Sequence, residues 1–158
     1  MHMKKKISIE FFPESKKWSR RMPKIKKISI KTVNKMRLYF NKKFFYQINL
    51  ILSDKKKLTE LNKKYKKKHQ DTDVLTFVNQ VSNKNLGKYF YCDIFFSIDI
   101  IEEFIKKNKI TLYDHFNHLL VHSLLHINDY DHQNKMQFNK MKIEEIKILK
   151  HFGIQNPY

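Results

Sequence analysis

Glycine is almost missing from this chain: Gly87 and Gly153 are the only two among 158 residues. Tight turns must therefore rest on Asn, Asp, Ser and Lys, the residues that bond their own backbone or tolerate awkward torsions. Cysteine occurs once, at Cys92, which excludes an internal disulfide and fits a reducing cytoplasm. It lies in an apolar, strand-like run, where a small buried hydrophobe is the better reading than a nucleophile or a metal ligand. No apolar run approaches the roughly 20 residues that a membrane helix needs. The basic opening Met1–Lys6 leads into an alternating segment containing Glu10, which is not a signal-peptide core. Acid is scarce as well, with 15 acidic against 33 basic residues and a formal charge of +18. A field of that size favours polyanionic partners and quick encounter with them. Arginine is limited to Arg20, Arg21 and Arg37, and Lys, Ile, Asn, Phe and Tyr abound. An A/T-rich coding sequence would produce the same bias, so the charge sets an attraction without naming a ligand.

Apolar material is ample, with 13 Phe and 8 Tyr beside many Ile and Leu, and the length suits one domain over residues 1–158. Ile7, Ile9 and Phe11 alternate with polar residues as a strand does. A basic connector with Pro13 and Pro23 follows, and from Lys24 to about Asn41 apolar residues recur at helical spacing. Phe45 to Leu52 reads as a second strand. Ser53-Asp54 offers an N-cap for a helix carrying Leu58, Leu61 and Tyr65, and Lys66 to Asp71 is a polar loop. Thr72 to Val78 and Lys88 to Ser97 are two more strands, joined by a polar connector from Asn79 to Gly87. Ile98 to Lys107 is a helix. Thr111, with Asp114 three residues on, caps a further helix that runs to about Ile127. Gln137 to Phe152 is a last amphipathic helix ended by Gly153. Four strands mixed with helices, and no repeat or linker, predict an α/β fold.

The chemistry concentrates at His122-Ser123-Leu124-Leu125-His126-Ile127-Asn128-Asp129-Tyr130-Asp131-His132. Positions i and i+4 share a helix face, so His122 and His126 can aim at one centre. Asn128 to Asp131 is turn material and can fold back to deliver His132. Three imidazoles suit one zinc ion and leave a coordination position for water, the pattern of a catalytic site. His118, one turn earlier on the same face, is the competing ligand. A zinc peptidase would carry Glu directly after its first histidine as general base; Ser123 stands there and cannot do that work. Asp129 and Asp131 read as turn formers and as hydrogen-bond partners of an imidazole.

This stretch resembles the signature of the YbeY family of bacterial rRNA maturation factors, H-G-x-L-H-L-x-G-Y-D-H, at His122, Leu125, His126, Tyr130, Asp131 and His132. Two further family segments have likenesses in the same order. They are Leu61-Asn62, Tyr65-Lys66 and Thr72-Asp73-Val74-Leu75-Thr76-Phe77, then Cys92-Asp93-Ile94-Phe95-Phe96-Ser97. Ser123 and Asp129 replace glycines of the pattern, Cys92 replaces another, and Lys66 replaces an arginine of the active-site cleft. The resemblance implies a small mixed sheet packed by helices, with the metal at one end. It implies a zinc-dependent endoribonuclease that cuts single-stranded RNA in small-subunit rRNA 3′-end maturation and ribosome quality control. The partners would be rRNA and the small ribosomal subunit with its proteins, and no membrane. Lys66 would supply the cation facing the scissile phosphate, with Lys63, Lys64, Lys67, Lys68 and His69 around it. A non-catalytic ribosome-assembly factor with a structural zinc is the alternative, and a metal hydrolase of small substrates a more distant one.

Overall fold

The computed structural model describes residues 6–66 and 71–158. In chain order the elements are β1 (Ile7–Pro13), α1 (Lys17–Arg21), α2 (Ile25–Lys35), β2 (Phe45–Ser53), α3 (Lys55–Leu61), β3 (Val74–Asn83), β4 (Gly87–Ser97), α4 (Ile98–Asn108), α5 (Leu112–Ile127) and α6 (Lys135–Lys150). A 3-10 turn at Arg37–Tyr39 follows α2, and a π-helical turn at Asn62–Lys66 continues α3. The chain folds as two compact units. The first takes in the described residues up to Pro23 together with Phe40–Ile100; the second takes in Lys24–Tyr39 and Ile101–Tyr158.

The first unit is built on a mixed four-stranded sheet in the order β1-β2-β4-β3. The β1–β2 and β2–β4 pairs are parallel and β3–β4 is antiparallel. The period of two along each strand sorts the side chains. Ile48, Leu50, Cys92 and Ile94 point to one face and are fully buried. Gln47, Asn49, Tyr91 and Asp93 point to the other, which stays partly open. Trp18 of α1 is buried, donates its indole N–H to the Ser53 carbonyl at 2.9 Å and meets Phe96 edge-on. At one end of the sheet, Asp54 caps α3 by accepting from the Lys57 N–H at 3.0 Å. Asp99 beside it accepts from the Lys55 N–H and binds the Lys17 ammonium.

In the second unit α5 is apolar around most of its circumference. Phe116, Leu120, Val121, Leu124 and Leu125 have no exposed surface. Thr111 caps its start by accepting from the Asp114 N–H at 3.0 Å. Thr32 of α2 donates to the Asn117 side chain at 2.7 Å, a buried link between α2 and α5. The α6 helix is capped by Asn134 and turns Met141, Glu145, Ile148 and Leu149 inward.

The α/β class, the four strands and their order along the chain agree with the sequence reading. Three boundaries do not. The segment Asn79–Gly87 is not a connector: β3 runs to Asn83 and β4 starts at Gly87, leaving Lys84–Leu86 as the tip. Asn83 accepts from the Asn85 and Leu86 N–H groups, and Gly87 takes the positive φ of 90° that the turn requires. The hairpin end is exposed on both sides, so its polarity reports solvent and not loop. The helix from Lys24 stops at Lys35, because Met36 closes it with bonds to the Thr32 and Val33 carbonyls. The basic connector after Pro13 contains the short α1, pinned by Trp18, the residue whose burial its lysines and arginines conceal. Lys67, Lys68 and His69, expected to flank Lys66, lie outside the described residues.

Candidate metal centre

The centre is assembled by α5, the turn after it, and α6. His122 and His126 lie one helical turn apart on α5. The helix then ends in a Schellman motif: the Tyr130 N–H reaches the Leu125 carbonyl at 3.1 Å and the Asp129 N–H reaches the His126 carbonyl at 3.2 Å. Asp129 occupies the left-handed position with φ 67°, the conformation expected where the family pattern has glycine. This reversal brings His132 back. Its ring centroid lies 5.4 Å from that of His122 and 4.9 Å from that of His126. One ligand nitrogen from each of His122, His126 and His132 fits within 4.8 Å of the others.

Outer partners assign the tautomers. The His126 Nδ1–H donates to the Tyr130 carbonyl at 2.9 Å, so its Nε2 carries the lone pair. His122 Nδ1 faces the Glu145 carboxylate at 2.5 Å, which leaves the His122 Nε2 lone pair pointing inward as well. The two Nε2 atoms stand 3.0 Å apart. Two lone pairs at that separation repel unless a proton or a cation lies between them. A proton on His126 is disfavoured, because burial, followed by the neighbouring His122 and His132, pushes that imidazole down to about 4. The arrangement therefore fits a divalent ion: three nitrogen donors converge, and two of them are oriented by a carbonyl and a carboxylate.

Glu145 is the functional residue that sequence reasoning missed. It has no exposed surface. One oxygen takes His122; the other takes His118 Nε2 at 3.0 Å and the Tyr158 hydroxyl. Burial opposes its ionisation, yet the bonds from His118, His122 and Tyr158 carry its carboxyl down to about 2. His118 is thus spent on Glu145 and stands outside the converging triad. The only signal in sequence was a lone carboxylate at a core position of α6, four residues after Met141 and three before Ile148.

The other expected residues sort as follows. Asp131 accepts from the His132 backbone N–H at 2.7 Å and Asp129 forms the turn; neither hydrogen-bonds an imidazole, a role that Glu145 takes instead. Ser123 is fully buried. Cys92 is buried too, and burial, with Asp93 adding to it, pushes its thiol up to about 12, as suits an inert core residue. Ser97 accepts from the Ile100 N–H, a helix-start bond. Lys66 belongs to the first unit, where it ends the π turn exposed, its Nζ 5.8 Å from the centre of the Phe77 ring. No helix among the described residues is long and apolar enough to cross a membrane.

The sequence matches a known family. The family model described as endoribonuclease YbeY matches residues 11–153. A protein of that name from Ehrlichia ruminantium (strain Gardel) is 39% identical over 148 residues, covering 90% of both chains. One from Ehrlichia canis (strain Jake) is 38% identical over 111 residues, 70% of each chain. One from Wigglesworthia glossinidia brevipalpis is 36% identical over 113 residues, 71% of this chain and 74% of its own. A Thermotoga maritima protein solved in solution is 22% identical, with a TM-score of 0.46 over 93% of this chain and 91% of its own. The span of the family match takes in the three histidines, the turn that joins them and the Glu145 that orients one of them, and the chain belongs to the endoribonuclease YbeY family.

Proposed function

We propose that this chain, with residues 1–158 acting as one domain, is a cytoplasmic zinc-dependent endoribonuclease that cuts single-stranded RNA. Its substrate is rRNA, in 3′-end maturation and quality control of the small ribosomal subunit, whose proteins are its partners. The observation that carries this reading is the 3.0 Å approach of the His122 and His126 Nε2 atoms, both with inward lone pairs. His122, His126 and His132 would hold one ion. Three neutral nitrogen donors suit zinc better than the oxygen-seeking magnesium or calcium. When bound, such an ion supplies Lewis acidity and makes hydroxide accessible at neutral pH.

The chain's own residues do the rest. Glu145 holds His122 in its tautomer and raises the basicity of the inward nitrogen. The Tyr130 carbonyl does the same for His126. Lys66 supplies a point charge for the phosphate as negative charge grows in the transition state. A lysine lacks the two-pronged grip of the arginine found in the family pattern. That substitution favours a second reading, a ribosome-assembly factor whose zinc is structural.

Metal analysis of freshly purified protein decides the first point. Each of His122→Ala, His126→Ala and His132→Ala should lose most of the zinc, whereas His118→Ala keeps it. Cleavage of an end-labelled, unstructured RNA should stop with a chelator and return with added zinc. Wild-type protein that binds zinc and never cleaves would transfer the assignment to the assembly factor.

A further inference from the structure

The partly open face of the sheet in the first unit has an organisation that the metal centre does not explain. Phe45 of β2 and Tyr89 of β4 are register partners, and their rings stack 4.8 Å apart with an interplanar angle of 12°. Tyr91 follows on the same face, 42% exposed. Beside these rings lies a cavity of about 330 Å³ that Ser8 and Gln47 also line. Its volume falls in the range of small-ligand sites. Cations stand at both sides of the aromatic row. On the β1 side, Lys6 Nζ lies 5.9 Å from the Phe45 ring centre. On the β3 side, Lys66 Nζ lies 5.8 Å from the Phe77 ring, and Lys64 Nζ lies 5.1 Å from Tyr65, which packs edge-on against Phe77.

We propose that this face is a binding platform for single-stranded RNA, with bases stacked on Phe45, Tyr89 and Tyr91 and the phosphates led from Lys6 across the strands to Lys66. This proposal rests on the endoribonuclease reading and adds to it a surface that presents the strand. Phe45 and Tyr89 cover one face of each other, so a base extends the stack on an outer ring face or on Tyr91; such stacking takes unpaired bases of any identity, and flanking lysines bind phosphate without reading sequence. A duplex hides its base faces and gains only the lysines. Two carboxylates share this face: Glu10 of β1, in register with Asn49, and Asp93 of β4, to which Asn49 donates at 2.8 Å and which lies beside the row. Asp93 repels phosphate and accepts from the amino edge of a base, which keeps the backbone on the lysine side. A peptide partner would profit equally from the rings, but the lysines at both ends favour a polyanion.

The test is fluorescence anisotropy of a labelled, unstructured RNA of about 12 nucleotides with the full chain in chelator, so that cleavage does not intrude. Tyr91→Ala removes a surface ring and should weaken binding about tenfold. Tyr91→Phe keeps the ring and should restore wild-type affinity. Lys6→Ala should lower the slope of log affinity against log salt by about one. A duplex of the same length should bind with no difference between wild type and Tyr91→Ala. Wild-type affinity in folded Tyr91→Ala, checked by circular dichroism, overturns the platform whether or not the enzyme cleaves. Loss in Tyr91→Ala that Tyr91→Phe does not restore refutes stacking. Loss that Tyr91→Phe restores, in a protein that never cleaves RNA with zinc, leaves the platform standing and removes the nuclease reading.

Discussion

Replacing Glu145 by Gln tests whether the buried carboxylate serves the metal or merely the fold. Gln keeps the shape and one carbonyl oxygen. That oxygen can accept the His122 Nδ1–H as Oε1 of Glu145 does now at 2.5 Å. The new amide group then faces His118 Nε2 and the Tyr158 hydroxyl, the partners of the second oxygen. Both can adapt, His118 by changing tautomer and Tyr158 by accepting through its hydroxyl oxygen. Packing and hydrogen bonding therefore survive, and what disappears is the negative charge behind His122. A charge-assisted bond is about twice as strong as a neutral one. Loss of such an outer partner lowers metal affinity about 10- to 100-fold, or about 1.4–2.7 kcal/mol.

The assay is competition for zinc against a chromophoric chelator, with His118→Ala in parallel. That variant leaves the Tyr158 hydroxyl on one Glu145 oxygen and the bond to His122 on the other, so its affinity should fall far less. Because the Glu145 carboxyl is carried down to about 2, it is anionic across the whole range in which imidazoles bind metal. The deficit of Glu145→Gln should accordingly be the same at about pH 6.5 and about pH 8. Zinc bound by Glu145→Gln as tightly as by wild type would refute the reasoning and reduce Glu145 to a packing residue.

Three further outcomes are expected. Lys66→Ala should slow RNA cleavage about tenfold or more with a smaller change in KM, and Lys66→Arg should keep or raise the rate, because a transition-state contact acts on kcat; equal effects from Lys63→Ala would make Lys66 one of many surface charges. At Asp99, burial opposes ionisation, but the Lys17 hydrogen bond, the Lys55 N–H and both lysine charges outweigh it, and the carboxyl is held below its usual value. A depressed carboxyl stabilises the fold above its unfolded pKa and ceases to as pH falls through the folded one. Asp99→Asn should thus unfold about 1 kcal/mol more easily at neutral pH, and the difference should vanish as pH falls through the depressed folded pKa in denaturant titrations. At Asp129, φ of 67° is left-handed, so Asp129→Val should cost about 1–2 kcal/mol and loosen zinc binding by disturbing His132, whereas Asp129→Gly should cost nothing; equal stability of the two would deny the strain.

Much of this molecule was legible because its signals are local. Asp54 and Thr111 sit where short side chains cap helices, and both do. The His122–His126 spacing needs only helical periodicity, and Asp129 advertises the reversal that returns His132. The errors also have local causes. Asn79–Asn83 is strand although Val81 is its one apolar residue, since a ribbon exposed on both sides has no apolar face to announce its period. The short α1 hides among lysines because Trp18 alone is buried there, and one residue makes no period.

Glu145 shows a different kind of limit. Its neighbours on α6, Met141, Ile148 and Leu149, mark the position as inward, and a lone carboxylate at an inward position is a burial cost in need of a partner. Sequence thus raises the question without answering it, because the partners His118 and His122 come from α5 and the pairing is tertiary. The sheet face poses the same question in reverse. Phe45, Tyr89 and Tyr91 read as strand residues, which they are, and only the register sets Phe45 flat against Tyr89 on the side that is not buried. In both places an ordinary strand or helix pattern carries one residue type too many for its surroundings: a carboxylate among apolar side chains, rings among polar ones. Such surplus residues are where a fold leaves room for chemistry.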